Sequence, residues 1–210
     1  MRPVALIVLL SIAAAGGDDK DKTRFSPGPA SSYPGHQTID KITPDGQVSI
    51  FAGSPGQSGR TDGTGSDARF NSPTGIACDS AGNIYVADMN NSSIRKITSA
   101  AVVTTLAGFG GHGSTDGDGS VAQFYHPTGV AVDGAGNLFV ADNGNSTLRK
   151  ITPADYVTTI GGRPGQIGWI DATGSDARFY SPYGVTVDGS GNVYVADVAN
   201  HTIRKGSPAP

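Results

Sequence analysis

The chain has 210 residues, a formal net charge of −3 and 37% hydrophobic residues, with 31 glycines that belong to turns and loops. Its mild acidity gives no general attraction to nucleic acid or to anionic lipid. Cys78 is the single cysteine, so an intrachain disulfide is excluded.

The chain opens on Arg2, an apolar run from Val4 to Ile12 and then Ala13-Ala14-Ala15. A basic start, a short apolar core and a small-residue end read as a secretory signal peptide over residues 1–15, and hence as a secreted or periplasmic protein. A frayed apolar tail is the alternative. The run is too short for a stable membrane span, and no cysteine stands where a lipoprotein would need one. Residues 16–35 are polar and carry Pro27, Pro29 and Pro34, which reads as a disordered linker.

Order is expected to begin at His36. The string QTIDKITPDGQVSIFAG, Gln37 to Gly53, has the pattern of the second half of a unit that recurs downstream. The unit's leading phrase is PTGIACDSAGNIYVADMNNSSIRK from Pro73, PTGVAVDGAGNLFVADNGNSTLRK from Pro127 and PYGVTVDGSGNVYVADVANHTIRK from Pro182. The prolines are 54 and 55 residues apart, and a fixed period of this size marks repeat architecture. Each phrase reads as three short strands. The first ends at an aspartate, Asp79 in the first copy, and a tight reversal follows. There Gly82, Gly136 and Gly191 are placed for positive φ. The second strand, IYVA, LFVA or VYVA, lacks polar alternation and reads as buried on both faces. The third carries Arg95, Arg149 or Arg204, and a fourth follows from Val102 and from Val157. Four antiparallel strands per unit, repeated, describe a propeller blade.

The phrase resembles the NHL repeat, through PxG, the central aspartate, GN, the (Y/F)VAD stretch and the closing (I/L)RK. The resemblance implies six-bladed β-propellers, mostly binding platforms, with a few relatives that are hydrolases or lyases. The expected fold is therefore all-β, NHL-type β-propeller blades of four antiparallel strands. The chain would hold a partial blade at 36–53, blades at 73–108 and 127–162, a partial blade at 182–206, and a tail at 207–210. That is about three blades' worth, an open arc or half of a six-bladed propeller. Either two copies complete a ring as a homodimer, or the chain is a fragment of a longer product.

Long glycine-rich loops join the blades. Ser66-Asp67-Ala68-Arg69 and Ser175-Asp176-Ala177-Arg178 read as one helical turn with serine as N-cap and an interacting Asp–Arg pair. In the middle loop both charges are replaced, by Val121 and Gln123. Phe70, Phe124 and Phe179 follow at one register and are expected to plug between blades. Cys78 aligns with Val132 and Val187, so it reads as a small buried hydrophobe.

Four sets of residues are candidates for a site. The pairs Asp88/Asn91, Asp142/Asn145 and Asp197/Asn200 could line a polar ligand face. Their presence in every unit instead favours a structural role, capping the turn and pairing with Arg95, Arg149 or Arg204. Asp116 and Asp118 have alternating oxygens of the kind that coordinate calcium, but the glycine and distal glutamate of an EF-hand loop are missing, so a solvated turn is preferred. His36, His112, His126 and His201 are scattered over different blade positions, with no metal-ligand spacing and no nucleophile motif. Trp169, the only tryptophan, aligns with Arg60 and Ser114. It is free of the repeat's demands and suits a binding anchor. The preferred ligand face is where the interblade loops meet the turns after the second strand, with Trp169 and His112 among its residues. The sequence thus reads as an exported, non-enzymatic binding or interaction module. Its partner would be a protein or carbohydrate rather than nucleic acid, and no cofactor or catalytic residue is implied. A fragment of a lactonase- or lyase-type propeller enzyme is the alternative.

Overall fold

A computed structural model describes residues 37–109 and 111–207, together with the backbone of residues 7–9. The leader and linker expected over 1–35 lie outside the described residues, except for Ile7–Leu9. These three form strand β1, paired antiparallel with β2 (Thr38–Ile42). That is the side of β2 on which the full units place their second strand.

Four sheets follow one another along the chain. The first is β1, β2 and β3 (Val48–Gly53). The second is built on β5 (Pro73–Cys78), β6 (Ile84–Asp88), β7 (Ser93–Ile97) and β8 (Val102–Ala107), with β4 (Gly63–Thr64) on the outside of β8. The third repeats this with β10 (Pro127–Val132), β11 (Leu138–Asp142), β12 (Thr147–Ile151) and β13 (Tyr156–Gly161), flanked by β9 (Gly117–Asp118). The fourth holds β14 (Pro182–Val187), β15 (Val193–Asp197) and β16 (Thr202–Gly206). All pairings within the sheets are antiparallel. The second and third sheets each hold the four antiparallel strands of a blade, with a two-residue loop strand added outside the fourth. The preceding interblade loop returns two residues to each outer edge, which covers hydrogen-bonding groups that would otherwise be open.

The strands form where their chemistry requires. The reversal after β5 is closed by hydrogen bonds from Asp79 N–H to Asn83 O and from Gly82 N–H to Asp79 O, with Gly82 at φ 81°. The Asp79 carboxylate also accepts from Ala81 N–H, Asn83 N–H and Asn83 Nδ2. β6 and β11 are buried along their whole length, as their unbroken apolar runs require. Apolar side chains from consecutive sheets form a shared core. Ile39 and Ala52 of the first sheet pack with Phe70, Ile84 and Val86. Tyr85 and Ile94 pack with Phe124, Val130 and Leu138, and Phe139 and Leu148 with Phe179 and Val193. Each of the three phenylalanines therefore fills the joint between two blades.

Two local expectations are corrected. Gly65–Asp67 and Gly174–Asp176 are single 3-10 turns entered from Thr64 and Thr173, without a side-chain cap hydrogen bond, so the serines lie inside the turns. Among the described residues no ion pair joins Asp67 to Arg69 or Asp176 to Arg178. Ala68 is already extended (φ −68°, ψ 155°), so Arg69 folds its fork onto the carbonyls of Ser66 and Ala68. Arg178 does the same with Ser175 and Ala177 and reaches Gln166. Cys78 is exposed rather than buried, because it is the last residue of β5 at the rim of the sheet. Its partial cover, together with the Asp79 carboxylate, pushes its thiol pKa up, which disfavours the reactive thiolate.

Candidate functional site

The repeated polar residues form one arrangement, built three times. In the second sheet the Asp88 carboxylate ends β6 and accepts from Asn71 N–H at 2.7 Å, Asn91 Nδ2 at 2.7 Å and Arg95 Nη1 at 2.8 Å. Asn91 also donates to Gly59 O, and Arg95 to the carbonyls of Arg69 and Thr61. The third sheet repeats this with Asp142, Asn145 and Arg149, and the fourth with Asp197, Asn200 and Arg204. Each guanidinium lies over the interblade phenylalanine, 5.2, 5.0 and 4.8 Å from the ring centre, a favourable placement for a cation. Both side chains of Asp88–Arg95 and of Asp142–Arg149 are fully buried. Burial pushes the Asp88 carboxyl up despite its donors, and pushes Asp142 up to about 6 against the hydrogen bonds of Asn145 and the charge of Arg149. These Asp and Asn side chains are consumed in fastening loop to blade. Asn200 also borders a depression on the loop face.

Sequence reasoning missed the second arm of each arginine. Arg95 Nη2 is 2.6 Å from Asp62, Arg149 Nη2 is 2.6 Å from Asp116, and Arg204 pairs with Asp171. Asp62 Oδ2 and Oδ1 also accept from Thr105 N–H at 3.0 Å and its hydroxyl at 2.9 Å. Asp116 accepts from Thr159 in the same way. Burial alone would raise the Asp62 carboxyl, but Thr105 and Arg95 outweigh it and hold it below its ordinary range. The signal was a loop aspartate placed 33 residues before each repeat arginine. Asp116, the weak calcium candidate, is thus paired with Arg149, while Asp118 lies in the edge strand β9. Among the described residues no group of three or more His, Cys, Asp or Glu could hold a metal ion.

With the invariant polar residues accounted for, the residues that differ between units share one location. Ser58, His112 and Ile167 are equivalent, each bridged in parallel to its interblade phenylalanine. Beside them stand Arg60, Ser114 and Trp169, and then Asn71, Tyr125 and Tyr180. In the third position of this series Trp169 is 81% exposed, with Ile167 and Tyr180 also exposed. A shallow depression is lined by Ile167, Gly168, Trp169, Tyr180, Ala199 and Asn200. In the middle position His112, Tyr125 and His126 form an aromatic cluster. The ring centres of His112 and Tyr125 are 5.2 Å apart, those of His112 and His126 5.8 Å, and those of Tyr125 and His126 4.5 Å. Gly144 makes room for it, since a Cβ there would lie 2.6 Å from Tyr125 Cδ1. The histidines are thus not all scattered: the loop and the start of β10 bring His112 and His126 together. His201 sits apart at the turn before β16, and His36 lies outside the described residues. His112 Nδ1 is 2.8 Å from Ser92 Oγ, but Ser92 is fully buried, so this pair presents no accessible nucleophile.

Repeated four-stranded cores, each locked to the next by a loop aromatic and a buried arginine, define a β-propeller repeat protein. The NHL repeat family matches residues 70–97, 124–151 and 179–205, and the chain belongs to this family. It is 31% identical over 168 residues to NHL repeat-containing protein 2 of Bos taurus, which covers 73% of this chain and 23% of that protein. It is 40% identical over 94 residues to the chloroplastic protein Suppressor of Quenching 1 of Arabidopsis thaliana, covering 44% of this chain and 9% of that protein. A crystal structure of a protein of unknown function from Bacteroides thetaiotaomicron superposes with a TM-score of 0.67 at 27% identity, over 81% of this chain and 42% of that one. The chain therefore spans less than half the length of each of these proteins.

Proposed function

We propose that this NHL-repeat propeller module is an exported, non-enzymatic binding module. Its ligand is a protein or a carbohydrate, held on the face formed by the interblade loops and the turns after β6, β11 and β15. One observation carries the reading. The positions that the blade does not use, 58/112/167, 60/114/169 and 71/125/180, fall on one face and carry exposed Tyr125, Tyr180 and Trp169. Exposed aromatics with apolar faces and polar tips suit both ligand classes. Trp169 is the only tryptophan, so its fluorescence reports directly on ligand addition. Trp169→Ala and Tyr125→Ala should each weaken retention of the ligand with the melting temperature unchanged. Retention that survives both substitutions would remove this face from consideration.

Export rests on Arg2, the run Val4 to Ile12 and Ala13–Ala15, and cleavage after Ala15 would take the β1 residues with it. N-terminal sequencing of exported protein should begin at Gly16; a start at Met1 would refute the cleaved leader. Among the described residues no helix is long and apolar enough to cross a membrane.

A further inference from the structure

We propose that His112 and His126 form a binding site for a divalent transition-metal ion, zinc, at the joint between the second and third sheets. The blade does not ask for either ring. His112 stands where the other units have Ser58 and Ile167, and all three make the same parallel bridge to an interblade phenylalanine. His126 stands where they have Ser72 and Ser181, and all three have positive φ, 49°, 54° and 57°. The same backbone is therefore built elsewhere without an imidazole. Yet the loop and the start of β10 bring the two ring centres to 5.8 Å, with their planes at 79°. Two imidazoles on one tetrahedral zinc, each nitrogen at about 2.0–2.1 Å from the metal, hold their centres roughly 5 Å apart. The terminal torsion of histidine is broad, so a small rotation closes that difference. His112 is exposed and His126 half-buried, which leaves the pair open to an ion from solvent.

The surroundings orient the pair. His112 Nδ1 is 2.8 Å from Ser92 Oγ, and the same oxygen accepts from His126 N–H at 3.4 Å. Ser92 belongs to the adjoining blade and is fully buried, so it is a fixed partner. With Nδ1–H donating to Ser92, the lone pair of Nε2 is the one left for a metal. A ligating imidazole is held in this way through its other nitrogen. Tyr125 walls the pair, its ring centre 5.2 Å from that of His112 and 4.5 Å from that of His126. Asn90 and Ala199 occupy the place of Gly144 in the other units, and a Cβ on Gly144 would strike this ring. No third His, Cys, Asp or Glu completes the set among the described residues. The remaining coordination positions fall to water or to donor atoms of a bound molecule. Two imidazole nitrogens select zinc, copper or nickel over calcium or magnesium, which take oxygen. The site shares the loop face but does not rest on a ligand being held there.

The test is equilibrium dialysis of the full chain against Zn²⁺ at neutral pH with no other ligand present, so its outcome is separate from that of the loop-face reading. Saturable uptake of one ion per chain is expected at micromolar free zinc. His112→Ser and His126→Ser each install a residue that another unit carries at that position. Each should weaken uptake at least about tenfold, with metal-free melting little changed. His201→Ser, at a histidine that stands apart, should leave uptake within about twofold. Ser92→Ala should still reach one ion per chain but with affinity about tenfold weaker, since both ligands remain and only their orientation is lost. Unchanged affinity would remove Ser92 as a positioning residue. The parent chain alone gives a second reading by NMR, where zinc should shift the imidazole signals of two of the four histidines. Absence of saturable uptake, uptake that survives His112→Ser or His126→Ser, or uptake that falls as far with His201→Ser would overturn the proposal. So would zinc shifts in only one histidine or in all four.

Discussion

Arg149 shows why the repeat keeps its charges. Its guanidinium and the Asp142 carboxylate have no exposure, so each is costly to bury without the other. Removing one partner of such a pair costs about 3–5 kcal/mol. Asp142→Ala should therefore lower stability by that amount in urea denaturation, and Asp197→Ala by less, since Arg204 is 12% exposed at the open end. Asp118→Ala, in an exposed edge strand, should stay within about 0.5 kcal/mol. Equal effects from Asp142→Ala and Asp118→Ala would show that the pair does not hold the blade. His126 makes a pH prediction. Burial, then the neighbouring His112, lowers its pKa below 6.5. As pH falls through about 6.5 the unfolded chain binds this proton first, so the stability His126 contributes is present above that pH and lost below it. Asp142 has the opposite sign: with its folded pKa raised to about 6, acid relieves its cost. Replacing His126 by serine, the residue at equivalent positions 72 and 181, isolates the histidine. The variant should lose less stability than the parent between about pH 7 and 5.5, and identical profiles would remove His126 as a contributor.

At the level of the element, the innermost strands run together so closely that glycine is required. A Cβ on Gly129 would meet Tyr183 O at 2.4 Å, and one on Gly75 would meet Thr128 O at 2.5 Å. The obstacle is backbone of the next blade and cannot turn aside. Gly129→Ala should cost about 1–3 kcal/mol by overpacking. Gly134→Ala, where nothing lies within 4 Å, should be nearly neutral, and thermal melts of the two variants would separate these outcomes. The glycine of the PxG phrase was legible as a constant of the repeat, but the reason for it, the approach of a strand 54 residues away, was not. The same division runs through the molecule. Strands β5 to β8 were readable because turn chemistry and apolar runs are local. β4 and β9 were not, because Gly63-Thr64 and Gly117-Asp118 have no strand character and are ordered by the edge they cover. Cys78 was misplaced because alignment with Val132 and Val187 gives a position in the repeat but not its distance from the rim. His112 and His126 met unannounced, since their contact spans a loop whose path no local pattern specifies.

At the scale of the whole molecule, each blade leaves one apolar face that only the next can cover. Ile39 and Ile94 are completely covered by the blade that follows, and Leu148 nearly so, but the equivalent Ile203 is 73% exposed. Tyr183 of the same sheet and Val198 in the turn after β15 are exposed as well. The two central sheets are therefore sealed on both faces, while the last is sealed on one. Exposed apolar surface on a sheet face is stabilised when another surface covers it. This gives a prediction that separates folding from assembly. Ile203→Lys removes exposed apolar surface and buries no charge, so the midpoint of urea unfolding should move by no more than about 0.5 kcal/mol. The mass found by static light scattering should fall toward that of a single chain wherever the parent protein associates. Ile94→Lys, at the same register inside the stack, should abolish cooperative unfolding, because the charge would be buried against Phe124 and Leu138. If Ile203→Lys unfolds the chain as Ile94→Lys does, the last blade is covered in the folded protein. If it folds normally and the parent's association persists unchanged, the contact between chains lies elsewhere than on the open face of the fourth sheet.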